Sequence, residues 1–243
     1  MTFEKYKNEQ IAKNYGSTLA RRKALCSFDM KYIQKNCQDA SRILDLGCGT
    51  GRHIVVLGKR HRVTGIDISP HMIGLAQKAI KKRRINADLI VGDICSMNKL
   101  VKGKFDAVIM MYHTFGSIVP KSKRASLLKK IYSSLKDDGI LIMHVHNRHH
   151  IKNLYFLYDT FKQSLFRSDV EFGDKQIKSG ALQGVKIHFF SQPEIVNLLK
   201  NTGFKVIDFL KLAYPEEDRV IKGPKAALHT GGFIVKARKC TKK

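Results

Sequence analysis

Short apolar runs of strand length alternate with longer, half-polar segments through the first two thirds of the chain. Arg42–Leu46, Arg62–Ile66, Ala87–Val91, Phe105–Met111 and Gly139–Met143 are the short runs. Between them lie Gly51–Lys59, Pro70–Lys82 and Lys123–Leu135, each long enough for a helix with one apolar face. Strands alternating with helices predict βαβ units, a parallel sheet and right-handed crossovers.

Residues at the segment ends support this spacing. Ser69-Pro70 places an N-cap residue before a proline at the first helical position. Ser191 and Glu194 have the spacing of a capping box ahead of Ile195, Val196, Leu198 and Leu199, and Gly203 suits the C′ position of the same helix. Two later strands, Phe204–Leu212 and Gly232–Ala237, are separated by a turn-rich return containing Pro215, Gly223 and Pro224. Residues 1–40 read as helices, with Ile11, Tyr15, Leu19 and Leu25 on an apolar face. Residues 148–190 are the least regular, with Tyr155, Phe156, Tyr158, Phe161 and Phe166 on an expected helix. The pattern predicts one domain over 1–243, with 1–40 as a helical cap and 148–190 as an insertion that covers the substrate.

Composition narrows the class. A chain of 243 residues with 43% hydrophobic content buries a full core, on the order of 70–75% of its extended surface. Five Pro and 18 Gly exclude a fibrous or low-complexity protein. The start, MTFEKYKNEQ, lacks the apolar segment of a secretory signal. No apolar stretch approaches the roughly 20 residues that span a bilayer, so no membrane partner is expected. Five scattered cysteines without a CxxC argue against a disulfide framework or a zinc ribbon, which predicts a cytoplasmic setting. The 45 Lys+Arg exceed the 20 Asp+Glu by 25. Such a charge suits either an RNA partner, through its phosphates, or a solvated lysine-rich surface.

The most informative segment is Asp45-Leu-Gly-Cys-Gly-Thr-Gly51, which follows a strand and opens a helix. Its glycines let the backbone turn tightly and approach a ligand where a Cβ would clash. Asp67 ends the second strand, where a carboxylate can accept both ribose hydroxyls of a nucleoside. Asp93 ends the third, placed to take an adenine amino hydrogen. Open α/β sheets bind ligands at those strand ends. A dinucleotide fingerprint spaces its glycines G-x-G-x-x-G, whereas this loop runs G-x-G-x-G. Asp45 would also repel a pyrophosphate but hold an ammonium.

In these segments the chain resembles the class I S-adenosylmethionine-dependent methyltransferases (type 11/25-like), from about residue 40 to the C-terminus. Asp45–Gly51 is similar to that family's first motif, Gly65–Ser69 to its second and Val91–Ile94 to its third. The resemblance implies an α/β, Rossmann-like, seven-stranded mixed sheet with an antiparallel last strand and helices on both faces. It implies S-adenosyl-L-methionine as cofactor. Asp45 and the backbone of Gly47, Cys48, Gly49 and Gly51 would lie near the methionine part and Asp67 on the ribose. Ile68 and Met72 would lie against the adenine, with Asp93 and the Ile94 N–H on its edge. Asn8–Tyr15 resembles the N-terminal helix that many members fold over the cofactor, which adds Tyr15.

A sulfonium methyl is already activated, so alignment of an in-line displacement is the main catalytic task. Tyr112 and His113 after the fourth strand, and His144 or His146 on one face of the fifth, are candidates for a base or a hydrogen bond to the acceptor. Asn147 and Arg148 are expected at the rim. Purely structural roles for these histidines are the competing reading. Four histidines in 144–150 lack a carboxylate or thiolate among them, so no metal is expected.

An Asn/Asp-Pro-Pro-aromatic motif, carried by methyltransferases of exocyclic amines, is absent. Phe115–Ser117 and His144–Asn147 are similar in placement to small-molecule N-methyltransferases. Lys186–Gly203 resembles both small-molecule members and the tRNA wobble-uridine enzymes. Three readings follow: N- or O-methylation of a small molecule, methylation of tRNA or other RNA through the basic surface, and cofactor binding without turnover in a partner subunit.

Overall fold

Each apolar run predicted as a strand enters one sheet, and the helices between them cover both of its faces. The computed structural model describes residues 6–9, 11, 23–112, 114–177, 183–213 and 219–240. Helix α1 (Lys23–Asn36) precedes β1 (Arg42–Leu46), α2 (Ile54–Leu57), β2 (Arg62–Asp67), α3 (Pro70–Lys82) and β3 (Ala87–Val91). A tight turn at Ile94–Ser96 and α4 (Met97–Leu100) lead into β4 (Phe105–Met110), α5 (Lys121–Ser134) and β5 (Leu135–His146). Then follow α6 (Leu154–Phe166), β6 (Asp174–Gln176), β7 (Lys186–His188), α7 (Gln192–Asn201), β8 (Phe204–Leu212), α8 (Ala226–His229) and β9 (Gly232–Lys239).

Seven strands join in the order β3-β2-β1-β4-β5-β9-β8, with β6 and β7 forming a separate hairpin. Strands β1 to β5 pair in parallel, and β9 runs antiparallel to both β5 and β8. This is the Rossmann-like mixed sheet with a reversed last strand. Its central strands read as continuous apolar runs because both faces are buried. Ile43, Ala107, Ile142 and Ile234 point to one face, against Ile33 of α1, Ile54 and Leu57 of α2 and Ile73 of α3. Their neighbours Leu44, Val108, Leu141 and Val235 point to the other, against Leu128 and Ile131 of α5 and Ile195 and Leu199 of α7. The two-residue period of a strand divides each run between two cores.

Three elements differ from the sequence pattern. The helix expected over 51–59 is one turn, Ile54–Leu57, because the chain leaves it at Gly58 to reach β2. Strand β5 begins at Leu135, not at Gly139, since a register shift lets Leu135 pair with Phe105 ahead of the main ladder. The return between β8 and β9 holds the short helix α8, and 148–190 holds the β6–β7 hairpin, neither of which has a strong periodic signal. Of residues 1–22, only 6–9 and 11 lie within the described set, so much of the first half of the expected cap, with Tyr15 and Leu19, falls outside it.

The helix ends behave as their residues dictate. Ser69 Oγ accepts the Met72 N–H at 3.3 Å with Pro70 beside it. At α7, Ser191 Oγ accepts the Glu194 N–H at 3.3 Å, and Glu194 Oε2 accepts the Ser191 N–H at 3.4 Å. Gly203 follows that helix at φ +92°. Replacing Ser191 by Ala removes the cap and is expected to lower stability by about 1 kcal/mol, read as a lower midpoint in urea with an unchanged slope.

Candidate active site

The cleft opens at the carboxyl ends of the parallel strands, where the loop after β1 faces the loop after β4. Gly47, whose N–H donates to Ile66 O at 2.8 Å, adopts φ +75°. A Cβ there would lie 2.5 Å from Thr114, so only glycine lets the two loops approach this closely. At Gly51, also left-handed, a Cβ would meet Ala76 of α3 at 3.0 Å. The cradle predicted from the glycine spacing is therefore formed and tight.

Asp67 binds that cradle to the end of β2. Its Oδ2 accepts the Gly49 N–H and its Oδ1 accepts the Ser69 N–H, both at 2.9 Å. A carboxylate has about four lone-pair sites, so both oxygens retain capacity for ribose hydroxyls. Burial, opposed by the Ser69 and Gly49 N–H groups and reinforced by the charge of Asp45, raises the Asp67 carboxyl above its usual range. Met72 is buried and Ile68 half-buried at the start of α3. Asp93 Oδ1 accepts the Cys95 N–H at 2.8 Å, capping the turn that carries buried Ile94.

Asp45 is buried, with Oδ2 3.4 Å from His53 Nδ1 and without a hydrogen-bond partner. An orphaned carboxylate oxygen beside the glycine cradle fits the ammonium end of the expected cofactor. Cys48 lies inside the cradle loop. Its N–H donates to Ile66 O and its side chain packs against Gly65, while burial pushes the thiol well above its ordinary pKa. It fixes the loop and presents no nucleophile.

One further side chain enters from the N-terminal segment. Tyr6 OH lies 3.0 Å from Ser117 Oγ, just beyond β4, and burial and the charge of Asp67 raise its pKa. Sequence spacing gave no reason to prefer it over Tyr15.

On the acceptor side, Tyr112 is buried at φ +64°, strained for a bulky residue. Its ring meets those of His144 and His146 edge-on at 6.2 and 6.4 Å. His113 lies outside the described residues. His144 and His146 share a face, as their alternation predicts, yet their surroundings separate them. His144 is fully buried with Nδ1 3.8 Å from Asp29 of α1. Arg52 Nη2 approaches the same carboxylate at 3.4 Å. Burial pushes the Asp29 carboxyl up, but His144, Arg52 and His53 outweigh it and hold it below its usual range. His144 is thus a structural residue, and His146, stacked on Phe189 at 5.1 Å, is the one that faces the insertion. A cavity of about 20 Å³, enough for roughly one water, separates Arg52 and His53 from Met111 and Tyr112.

Asn147 and Arg148, expected at the rim, are both buried. Asn147 Nδ2 donates to Thr230 O at 2.6 Å, and Arg148 pairs with Glu194 while donating to Phe172 O at 2.5 Å. They clasp the insertion to the sheet. Arg148 belongs to a cluster that periodicity does not reveal. His188 holds Asp174 Oδ1 at 2.8 Å through Nδ1 and Glu194 Oε1 at 2.9 Å through Nε2, and Arg124 pairs with Glu171. Glu171, Asp174 and His188 have ligand atoms within 4.8 Å of one another, the spacing of a metal site. The Arg124 guanidinium already occupies Glu171, and both His188 nitrogens are taken by Asp174 and Glu194, so the residues fit an ion network better than a cation site. Burial pushes the His188 imidazole below its ordinary pKa against the pull of Asp174. The Asp174 carboxyl is raised by burial, but the His188 hydrogen bond, the Glu171 N–H and the charges of His188 and Lys186 together hold it below its ordinary value.

Comparison with known proteins agrees with this cleft. The family model of the methyltransferase domain matches residues 43–139. A carboxy-S-adenosyl-L-methionine synthase of Nautilia profundicola is 30% identical over 217 residues, 83% of this chain and 87% of the relative. One of Campylobacter hominis is 30% identical over 76% of this chain and 78% of its own length. The crystal structure of an S-adenosylmethionine-dependent methyltransferase from Methanosarcina mazei superposes with a TM-score of 0.65 at 23% identity, covering 83% of this chain and 93% of that one.

Two outcomes test the site. Asp67→Ala is expected to weaken S-adenosylmethionine binding by roughly ten- to hundredfold, the loss of hydrogen bonds to a charged acceptor; unchanged affinity by calorimetry would remove Asp67 from the ribose. In the insertion, His188 is held below its ordinary value, near 6.5. Its neutral form is the folded one, so its stabilisation is complete above that value and declines as pH falls through it. Asp174, also held low, loses its contribution at still lower pH. Protection factors at Asp174–Gln176 and Lys186–His188, which divide out the slower intrinsic exchange at low pH, are expected to fall at pH 5.5 relative to 7.5, and His188→Gln to flatten that difference.

Proposed function

Because this chain belongs to the class I S-adenosylmethionine-dependent methyltransferase family, we propose that its acceptor is a small molecule methylated on nitrogen or oxygen. The bound cofactor supplies a methyl group activated by its sulfonium. The chain's own residues supply position: Asp67 holds the ribose, Asp93 and the Ile94 N–H the adenine edge, and Asp45 the ammonium. The observation that carries the reading is the acceptor wall of Tyr112, His146 and Phe189. It is aromatic, with Tyr112 and His146 buried and Phe189 of the insertion half-buried against His146, an environment that suits a compact acceptor better than a helical nucleic acid. His146 and Tyr112 are the groups placed to orient the acceptor or take its proton. His113, adjacent in sequence, is proposed for the same task on its position after β4.

The net charge of +25 favours a second reading, in which tRNA or another RNA is the acceptor. The relatives' name supports a third chemistry, in which a carboxylated cofactor is the product or the donor. Arg52, lining the cavity beside Tyr112, is the cation that such a carboxylate would meet.

One experiment separates these. Purified protein, methyl-labelled S-adenosylmethionine and a cell extract are combined with and without prior RNase treatment. Label in a small, RNase-resistant product is expected. Label in a large product that RNase abolishes would transfer the assignment to RNA. A carboxylated cofactor in the mass spectrum of the same reaction would replace methyl transfer with the relatives' chemistry. Tight cofactor binding without any labelled product would leave a non-catalytic partner subunit.

A further inference from the structure

Helix α6 turns most of its large apolar side chains outward. Its one buried residue is Thr160. Six of its eight large apolar side chains, Leu154, Tyr155, Tyr158, Phe161, Leu165 and Phe166, are exposed, Tyr155 by 81% and Phe166 by 87%, while Phe156 and Leu157 are half-buried. At about 100° per residue these six fall within an arc of about 140°, one continuous stripe along the helix. Ile151, exposed just ahead of the helix, extends it. An ordinary surface helix turns such a stripe to the core, and singly exposed hydrophobic residues would need no account. A contiguous stripe of this kind marks an interaction surface.

We propose that this stripe docks the protein on the surface of an anionic lipid bilayer, with α6 lying in the plane of the interface. Leu, Phe and Tyr side by side are what an interfacial helix buries at the headgroup boundary. Lys162 lies within the stripe, its ammonium over the Tyr158 ring at 4.9 Å, and exposed Lys152 stands at the N-terminal end. Both can reach lipid phosphates while the rings enter the apolar layer. The net charge of +25 draws the whole molecule toward a negative surface.

The same charge opposes the other occupants. A second copy would bring +25 against +25. A nucleic acid needs cations repeated at phosphate spacing, whereas the stripe holds Lys162 alone, and Arg167 beyond it is bonded to Asp169 through two nitrogens at 3.1 and 3.0 Å. With 13 residues the helix is about 20 Å long. Among the described residues no helix is long and apolar enough to cross a membrane, and an interfacial one does not need to be. The expectation of no membrane partner rested on spanning length, which this mode of attachment does not require. The inner face of α6 carries Phe156, 5.7 Å from Phe189, which stacks on His146. Docking would place the acceptor wall about one helix diameter, ~10 Å, from the lipid.

Sedimentation of the full chain with vesicles tests this. Binding is expected to vesicles of equal phosphatidylglycerol and phosphatidylcholine, and to be at least tenfold weaker to phosphatidylcholine alone. Tyr158→Ser with Phe166→Ser is expected to weaken the first by at least tenfold while S-adenosylmethionine affinity, measured by calorimetry, stays unchanged and reports an intact fold. The chain has no tryptophan, so Phe166→Trp supplies a single probe whose emission is expected to shift to the blue on anionic vesicles. Wild-type protein that ignores these vesicles, or a double variant that binds them equally, overturns the proposal. So does a wild-type dimer that the double variant converts to monomer, or RNA binding that the double variant loses, since each gives the stripe another occupant.

Discussion

The carboxylate of Asp67 joins two backbone segments that would otherwise be set independently. One oxygen holds Gly49 in the loop after β1, and the other holds Ser69 at the cap of α3. The loop is thereby fixed to the end of β2, and the left-handed turn at Gly47 brings it against Thr114 beyond β4. Strand β1 sits between β2 and β4, so the chain's crossovers diverge on either side of it. In an open parallel sheet that divergence leaves a crevice at the carboxyl ends. The proposed nucleotide site is that crevice, whose walls are joined by the two N–H bonds to Asp67.

Buried charge shapes the rest of the site. Asp29, Arg52, His53 and His144 come from α1, the loop after β1 and β5, and they meet behind Tyr112. Arg124, Arg148, Glu171, Asp174, His188 and Glu194 do the same between the insertion and α7. Such groups gain little net stability from pairing, but each is costly to leave unpaired. They therefore act by selecting one arrangement. The first network backs the strained Tyr112, and the second keeps the β6–β7 hairpin seated with Phe189 on His146.

Helix α6 connects the two surfaces of the insertion. Phe156 faces the site, and the stripe from Leu154 to Phe166 faces outward. The same aromatic residues look, in one dimension, like a lid lined to hold a small apolar acceptor. In three dimensions only Phe156 takes that position. Helical periodicity defines a face but carries no sign, and the direction in which the apolar face points is set by what the neighbouring elements leave uncovered.

Local rules were enough for the frame. Strands Arg42–Leu46, Ala87–Val91 and Phe204–Leu212 and helix Pro70–Lys82 begin and end where their residues predict, because runs, caps and glycines act over a few positions. The cradle at Asp45–Gly51 with Asp67 and Asp93 was legible for the same reason: glycine spacing and strand ends are local properties. The separation of His144 from His146, the burial of Asn147 and Arg148, the His188 network and the arrival of Tyr6 at Ser117 were decided only by tertiary structure. Each depends on partners distant in sequence, such as Asp29 with His144 or Tyr6 with Ser117. A side chain's environment, and with it its charge and its task, exists only once those distant segments are packed together.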